Sequence, residues 1–354
     1  MLSIGLFIAS LVVTTLTVFA RLPFYDWWIR ACDFPRLQIA AIALLILLLS
    51  PLAAPPLLWP TVILSAAVLG WQTYRILPYT RLWPKQVKDA QDGFEERCVS
   101  LLVANVLTPN RNAEGLTRQI LQHKPDVVLT LESDQWWGDA LDSALGEDYP
   151  YAVRIPLDNL YGMHLYSRLK LEDTDVSWLI QKDIPSVHTW LRLANGSRVR
   201  LHALHPRPPA PSESDESLWR DAELLLVGKG IHRDGDPTLV AGDLNDVAWS
   251  RTTRMFCRVS GMLDPRRGRG MFSTFHANYR LMRWPLDHIF VSEEFTLRNM
   301  SRLEAFGSDH FPILATFCFR PSRADEHENP EADEEDWEQA EDAIEEARSR
   351  DQDG

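Results

Sequence analysis

Charged residues are absent from two stretches near the start of the chain, residues 2–20 and residues 37–74. A membrane-spanning helix needs about 20 mainly apolar residues, so the first stretch predicts one span and the second is long enough for two short ones. Prolines in the middle of the second stretch mark the reversal. We therefore predict three transmembrane helices, over residues 2–20, 37–52 and 60–76. The alternatives are a signal peptide followed by one hairpin, and a buried hairpin of a soluble protein.

Beyond residue 97 short apolar runs of β type alternate with helical patterns. The pattern predicts strands over residues 99–107, 127–131, 163–166, 198–204, 238–241, 286–291 and 313–319, and helices over residues 114–123 and 215–227. Mixed strands and helices over about 220 residues favour a layered α/β domain. We expect four regions: a membrane region (1–78), a polar linker (79–96), one globular domain (97–320) and a tail (321–354).

The charge of the chain is concentrated in that tail. The net charge is −13, and residues 321–354 contain fifteen Asp or Glu and three Arg. A segment of this composition cannot bury a core and repels itself, so we expect it to be disordered or a lone marginal helix. The rest of the chain is near neutral, without the strong basic excess of a dedicated duplex-DNA binder.

The four cysteines are Cys32, Cys98, Cys257 and Cys318, and none has the spacing of a CxxC pair or a zinc site. We expect them to be small buried side chains, without a disulfide framework.

Polar side chains stand at the ends of nearly all the apolar runs. They are Asn105, Glu132, His205, Asp243, Asn245, Asp287, Asp309 and His310. Loops at strand ends are where such folds bind ligands. Carboxylate oxygens suit a hard cation such as Mg²⁺ or Mn²⁺, and such a site suits attack of water on phosphorus.

Seven segments in order resemble the endonuclease/exonuclease/phosphatase superfamily. They are LLVANVL (101–107), DVVLTLE (126–132), YGMHLYSR (161–168), LHALHPRPP (201–209), VAGDLND (240–246), WPLDHIFVS (284–292) and GSDHFPI (307–313). The particular forms GDLNDVAWS, DPRRGRGMFSTF and WPLDHIFVS look like a bacterial membrane-associated branch. The resemblance implies a four-layer α/β sandwich, two mixed sheets flanked by helices, preceded here by the three transmembrane helices.

The resemblance also implies roles for the polar residues. Glu132 would be the principal metal ligand and Asp309 a second ligand or an orienter of histidine, with Asn105 beside the metal and the scissile phosphate. Asp243 would orient or deprotonate the attacking water, and Asn245 would donate to a phosphate oxygen. His310 would stabilise the pentacovalent phosphorus. His205 would be a general acid with Asp287 as its partner.

Two arginines of the segment DPRRGRG, Arg266 and Arg267, are candidates for contact with substrate phosphate, the alternative being a solvated loop. His288 adjoins Asp287, but adjacent side chains of a strand point to opposite faces, so we expect it to be structural.

The sequence thus predicts a membrane-anchored, metal-dependent phosphoester hydrolase. The substrate stays open between nucleic acid and a phospholipid or other small phosphodiester, and no protein partner is indicated. The alternative is an inactive or regulatory membrane protein that binds a phosphorylated ligand. Lys and Arg flank the predicted spans on one face only, which favours a cytoplasmic catalytic domain on a multi-pass membrane protein.

Overall fold

The computed structural model describes residues 1–353. Its α-helices are α1 (Leu2–Phe19), α2 (Trp27–Arg30), α3 (Arg36–Leu49), α4 (Leu58–Ile76), α5 (Ala113–His123), α6 (Gln135–Leu145), α7 (Leu218–Asp234), α8 (Arg251–Ser260) and α9 (Glu334–Asp353). Its strands are β1 (Cys98–Asn105), β2 (Val127–Leu131), β3 (Tyr151–Ile155), β4 (Met163–Ser167), β5 (Lys170–Ser177), β6 (Ser186–Arg192), β7 (Arg198–Ala203), β8 (Thr238–Asp243), β9 (Asp287–Val291), β10 (Phe295–Arg302) and β11 (Ile313–Phe319).

The strands form two mixed sheets. The first has the order β10-β11-β1-β2-β4-β3, and the second has the order β5-β6-β7-β8-β9. Only the neighbours β1–β2 and β7–β8 are parallel. Valines, leucines and isoleucines from both sheets form one shared core, so the sheets pack face to face. Helices α5 and α6 cover the first sheet, and α7 and α8 cover the second. This is the predicted α/β sandwich.

Local sequence signals set the helix boundaries. Asn112 accepts a hydrogen bond from the amide of Gly115 at the start of α5, and Lys124 ends that helix in a left-handed conformation. Asp134 and Ser250 cap α6 and α8 in the same way as Asn112 caps α5. Such caps satisfy amides that have no partner within the helix, which is why Asn, Asp and Ser begin helices here.

The three predicted membrane helices form as helices α1, α3 and α4, and their apolar side chains pack on one another. By length and composition only α1 could cross a membrane, or two spans could exist if α2 and α3, which meet at 66°, count as one broken span. Three transmembrane spans therefore stay a prediction.

The structure corrects the expected disorder of the tail. Helix α9 packs an alanine-rich face, centred on Ala340, Ala343 and Ile344, against apolar residues of α7 and α8. Arg258 of α8 also pairs with Asp336 near the start of α9. Apart from Asp336, most of the acidic residues of α9 lie on its other faces, so the composition of the helix conceals a buried stripe.

The polar segment 79–96 is also more ordered than a linker. Val87 is fully buried in the core between the sheets. Asp89 forms a parallel bridge with Leu297, which adds the segment to the edge of β10. The globular domain therefore includes part of this segment.

The expectation for the cysteines is wrong for one pair. Cys98 and Cys318 are direct partners in the antiparallel pairing of β1 with β11, and they form a disulfide. They are 220 residues apart in sequence, so only the sheet register brings them together. Cys32 and Cys257 are free thiols.

Candidate active site

The ends of β1, β2, β8 and β9 converge on one edge of the sandwich, and the loop before β11 joins them. Asn105 and Asp243 are the last residues of β1 and β8, Glu132 follows β2, and Asp287 begins β9. Asp287 is the direct register partner of Asp243. These side chains lie close together because the ends of neighbouring strands meet at the same edge of a sheet.

Asn105 connects the two sheets. Its Nδ2 donates to Oε1 of Glu132 at 2.7 Å and to Oδ2 of Asp243 at 3.1 Å, while its Oδ1 accepts from the amide of Leu107. Both ends of the amide are engaged, so Asn105 orients two carboxylates. Its expected contact with the scissile phosphate stays a prediction.

His310 lies between two carboxylates. Its Nδ1 is 2.7 Å from Oδ2 of Asp287, and its Nε2 is 3.5 Å from Oδ2 of Asp243. Burial opposes a charged imidazole, but Asp287 and Asp243 outweigh it and raise the pKa of His310 to about 10. The imidazole is therefore a cation at neutral pH.

Asp287 thus pairs with His310, which corrects the expected partnership with His205. The two predicted partners are separated because β9 directs Asp287 toward the loop that carries His310. His205 is itself buried beside the ring of Tyr161, and its Nδ1 has no hydrogen-bond partner. Burial lowers the pKa of His205 to about 4. The general-acid role of His205 stays a prediction, without the carboxylate partner that the sequence suggested for it.

Glu132 is buried close to other carboxylates. Burial raises the pKa of Glu132 to about 7; the hydrogen bond from Asn105 opposes this, and the charges of Asp243 and Asp309 add to it. A cation at this point would relieve both the desolvation and the repulsion between carboxylates. The donors are carboxylate oxygens, which fit Mg²⁺ or Mn²⁺.

A second geometric group consists of Asp243, Asp287 and His310, whose potential ligand atoms lie within 4.8 Å of one another. In this group Nδ1 of His310 is engaged by Asp287, which leaves Nε2 as its possible metal-binding atom. The oxygen donors around Glu132 suit a hard cation such as Mg²⁺ or Mn²⁺ better than a group that includes a nitrogen donor.

The turn after β8 is built under strain. Gly242 has φ +150°, and a Cβ there would lie 1.8 Å from the carbonyl oxygen of Leu204. Asn245, two residues beyond Asp243, is left-handed at φ 52°, as is Glu132 at φ 56°. Left-handed residues other than glycine cost free energy and cluster at functional sites, so both conformations agree with a site role.

Asn245 is tied to the loop that carries His205. Its Nδ2 donates to the carbonyl of Pro206 at 3.1 Å, and its amide donates to Oδ1 of Asp243 at 2.9 Å. Its side chain is half-buried at the edge of the cluster, which is compatible with the predicted contact to a phosphate oxygen.

Arg266 and Arg267 lie away from this cluster, which corrects their predicted contact with substrate. Arg266 is buried, pairs with Asp264 and donates toward Nδ1 of His288 at 2.6 Å. The loop that carries them packs on the segment before β1, since Gly268 donates to the carbonyl of Pro78. Arg266 therefore fits neither alternative, a phosphate contact or a solvated loop, because it is buried and its charge is paired with the carboxylate of Asp264.

His288 is structural, as predicted. Its Nε2 lies 2.8 Å from the carbonyl oxygen of Asp246 on the face opposite to Asp287.

The sequence missed two positioning residues. Ser308 donates to the carbonyl of Asn105 and accepts from the amide of His310, so it fixes the loop of His310 to the end of β1. Arg220 of α7 donates to the carbonyl of Asn245 at 2.8 Å and pairs with Asp221. Ser308 stands inside the segment GSDHFPI and could have been singled out there. Arg220 gives no local signal.

Comparison of the chain with known proteins agrees with this geometry. The Endonuclease/Exonuclease/phosphatase family matches residues 102–310. The fold and the cluster of strand-end carboxylates define a phosphoester-hydrolase type of domain, and the chain belongs to the endonuclease/exonuclease/phosphatase family. No match is found among the curated proteins.

Three solved structures share the fold at low sequence identity. Humanized D. rerio TDP2 is 18% identical with a TM-score of 0.53, covering 62% of this chain and 99% of that one. An endonuclease/exonuclease/phosphatase from Beutenbergia cavernae DSM 12333 is 15% identical with a TM-score of 0.52, covering 63% and 72%. The human Nocturnin catalytic domain with bound sulfate is 16% identical with a TM-score of 0.51, covering 64% and 95%. At these identities the likeness shows the fold.

Proposed function

We propose that this protein hydrolyses phosphoesters with a divalent cation, and that it is anchored in a membrane through its N-terminal helices. The observation that carries the proposal is the linked set Glu132–Asn105–Asp243–His310–Asp287, in which each side chain contacts the next. In a site that only bound phosphate, the Asp243 carboxylate, 3.5 Å from the His310 cation, would repel the ligand. In a hydrolase the same carboxylate can accept the proton of the attacking water.

Glu132, with Asp309 nearby, would hold the cation, Mg²⁺ or Mn²⁺. When bound, such an ion neutralises non-bridging phosphate oxygens and lowers the repulsion that a nucleophile meets. Asp243 would align the attacking water and accept its proton, since Asn105 holds its carboxylate in place. Asp243 is buried, which strengthens each of these interactions.

His310 would stabilise the negative charge that builds up on the phosphorus oxygens. Its charge is already present before the substrate binds, because Asp287 lies behind the ring. Preorganised charge of this kind acts without reorganisation during the reaction. Asn245, at the edge of the cluster, would donate to a further phosphate oxygen.

Membrane anchoring is supported by α1, an 18-residue helix of mean hydropathy 2.2. With an anchored active site, nucleic acid, phospholipids and small phosphodiesters are all accessible as substrate classes. One structural neighbour, D. rerio TDP2, is known in complex with a single-strand DNA product, which makes DNA one arm of the substrate test.

The test uses the full-length chain in detergent, since α9 and the segment before β1 are packed into the domain. Hydrolysis of bis-p-nitrophenyl phosphate and of p-nitrophenyl phosphate would be measured with Mg²⁺, with Mn²⁺ and with EDTA. Plasmid DNA, RNA and phospholipid vesicles form a second panel. We expect metal-dependent turnover that Asp243→Asn lowers by about 10²-fold or more.

The matched control is Asp234→Asn, because Asp234 is an exposed carboxylate at the end of α7. Turnover that survives in Asp243→Asn at more than roughly a third of the wild-type value would remove Asp243 from the mechanism. Phosphoester binding without any turnover would favour the regulatory alternative.

A further inference from the structure

A cavity lies where the N-terminal helices meet α8 and α9, and none of the strand-end residues lines it. Its volume is about 440 Å³, and it is bordered by the ends of α1 and α4, the start of α3, one face of α8 and the start of α9. Six arginines line it: Arg21, Arg36, Arg75, Arg251, Arg254 and Arg258. The acidic side chains that line it are Asp333, Glu335 and Asp336.

Most of the arginine charge is unpaired. Arg36 pairs with Asp33, and Arg258 pairs with Asp336. In the part of the chain that the structure describes, the other four form no salt bridge. Arg75 and Arg254 donate to backbone carbonyls of Trp249 and Ser250, which carry no net charge.

Two of the guanidinium groups also have buried donors without partners. The Nε atoms of Arg36 and Arg75 are buried and make no hydrogen bond, and these residues are only 2% and 8% exposed. Arg30, which does not line the cavity and is 3% exposed, also leaves all three of its side-chain nitrogens unpartnered. Its charge acts on Arg251: burial lowers the pKa of Arg251, and the charge of Arg30 lowers it further.

Such an arrangement is costly unless an anion completes it. A buried donor without a partner costs free energy, and the cost is larger when the donor is charged. Arginine keeps its proton, so the cavity cannot relieve its charge by becoming neutral. Burial and the neighbouring Arg258 lower the pKa of Arg254 to about 10, which reflects the same crowding of cations.

We propose that this cavity binds a phosphate-bearing anion that bridges the N-terminal helices and the catalytic domain. Guanidinium groups bind phosphate oxygens through two parallel hydrogen bonds, and several from different elements can surround one phosphate. The volume exceeds what a bare phosphate ion fills, so a phosphodiester with a polar substituent also fits.

The position of the cavity suggests two sources for that phosphate. Ala20 and Arg21 directly follow α1, the helix able to cross a membrane, and the aromatic residues Trp71 and Tyr74 lie beside them. Arg21 stacks on Trp71 with 4.4 Å between its guanidinium carbon and the ring centroid. Aromatic and cationic side chains at a helix end belong at the level of lipid headgroups. The ligand is a phospholipid headgroup or a free phosphate compound.

The experiment compares wild type with Arg21→Gln and with the double variant Arg251→Gln/Arg254→Gln. The control is Arg233→Gln, an exposed arginine of α7 outside the cavity. Thermal unfolding of the delipidated full-length protein is measured in phosphate and in chloride at equal ionic strength. Phospholipid retained through detergent washing is quantified as phosphorus, and binding to nanodiscs of phosphatidylglycerol is compared with phosphatidylcholine.

We expect one of two results. Either phosphate raises the unfolding temperature of wild type and Arg233→Gln by several degrees and leaves the cavity variants unchanged, or wild type retains anionic phospholipid that the cavity variants lose. The first identifies a free phosphate compound and the second a lipid headgroup. Equal behaviour of wild type and variants in both assays overturns the proposal.

Arg21 is exposed, so Arg21→Gln keeps the test valid if the double variant does not fold. None of the three substituted arginines contacts the catalytic residues, so turnover of bis-p-nitrophenyl phosphate should persist in all variants and reports that the domain is intact.

Discussion

The Nδ1 atom of His310 lies 2.7 Å from Oδ2 of Asp287, at the point where β9 pairs with the end of β8. Asp287 has a second oxygen, Oδ1, that is buried without a partner, so the carboxylate is committed to the histidine. Asp243 stands on the other side of the ring. His310 is therefore held between Asp287, which fixes the orientation of its ring, and Asp243, which lies beside its Nε2 atom.

Replacing Asp287 with Asn should lower kcat by about 10²-fold, because His310 loses the charge that holds its proton. His310→Ala should cost at least as much. Since Asp287 acts through His310, the double variant should be no worse than His310→Ala alone, whereas two independent roles would multiply. Steady-state kinetics of the four proteins, with KM and kcat separated and circular dichroism as a folding check, gives the result.

Replacing Glu132 with Gln should raise the Mg²⁺ concentration needed for half-maximal activity by about tenfold or more, because a hard-cation site loses a charged oxygen. The control is Glu147→Gln, an exposed glutamate in the loop after α6. Activity is titrated with Mg²⁺ from an EDTA-treated stock. A titration curve that matches wild type would exclude Glu132 from the coordination sphere.

Glu223 of α7 should make stability depend on pH. It is 3% exposed, its Oε1 has no partner, and burial raises the pKa of Glu223 from 4.5 to about 8. Between these values the unfolded carboxyl is ionised while the folded one keeps its proton. The contribution of Glu223 to stability is therefore most favourable at acid pH and falls as pH rises to about 8, by up to about 1.4 kcal/mol per pH unit.

Glu223→Gln should reduce that slope and make the protein more stable than wild type at pH 8, with little difference near pH 4.5. Part of the slope should remain, because the pKa values of Glu132 and Asp246 are also raised. Denaturant unfolding between pH 5 and pH 8 at constant ionic strength measures it. Glu338→Gln, on the exposed side of α9, serves as the control. Parallel pH profiles for wild type and Glu223→Gln would show that the carboxyl ionises in the folded state at its ordinary pKa.

The disulfide between Cys98 and Cys318 bears on which side of the membrane the domain lies. The prediction of a cytoplasmic domain rests on charges that flank three predicted spans. By itself only α1 is long and apolar enough to cross a membrane. A disulfide forms and persists in an oxidising compartment. We therefore expect an alkaline phosphatase fused to the C terminus to be active and a fluorescent protein fused there to be dark in bacteria; the reverse would restore the cytoplasmic assignment.

The same disulfide closes a loop of 220 residues, so a reductant should lower the stability of the domain by about 2–4 kcal/mol. Cys257→Ser, which changes a free thiol, should respond to the reductant as wild type does.

The sequence by itself determined seven of the eleven strands and the identity of the cluster. Strands β1, β2, β4, β7, β8, β9 and β11 were visible as apolar runs because a strand buried on both faces is apolar at nearly all positions. Asn105, Glu132, Asp243, Asp287 and His310 were visible because polar residues at the ends of such runs are rare without a purpose. Edge strands such as β3 and β5 were missed, since half-exposed strands have mixed composition.

Only the tertiary structure decided which side chains contact each other. Asp287 pairs with His310 and not His205 because the register of β8 with β9 fixes where its side chain points. Arg266 forms an ion pair with Asp264. The sequence alone does not distinguish an arginine that pairs locally from one that contacts a phosphate. Helix α9 is ordered because α7 and α8 offer an apolar surface to its alanines, and the arginine cavity exists because five elements far apart in sequence meet there. Long-range contacts of this kind depend on packing geometry, which composition and periodicity do not contain.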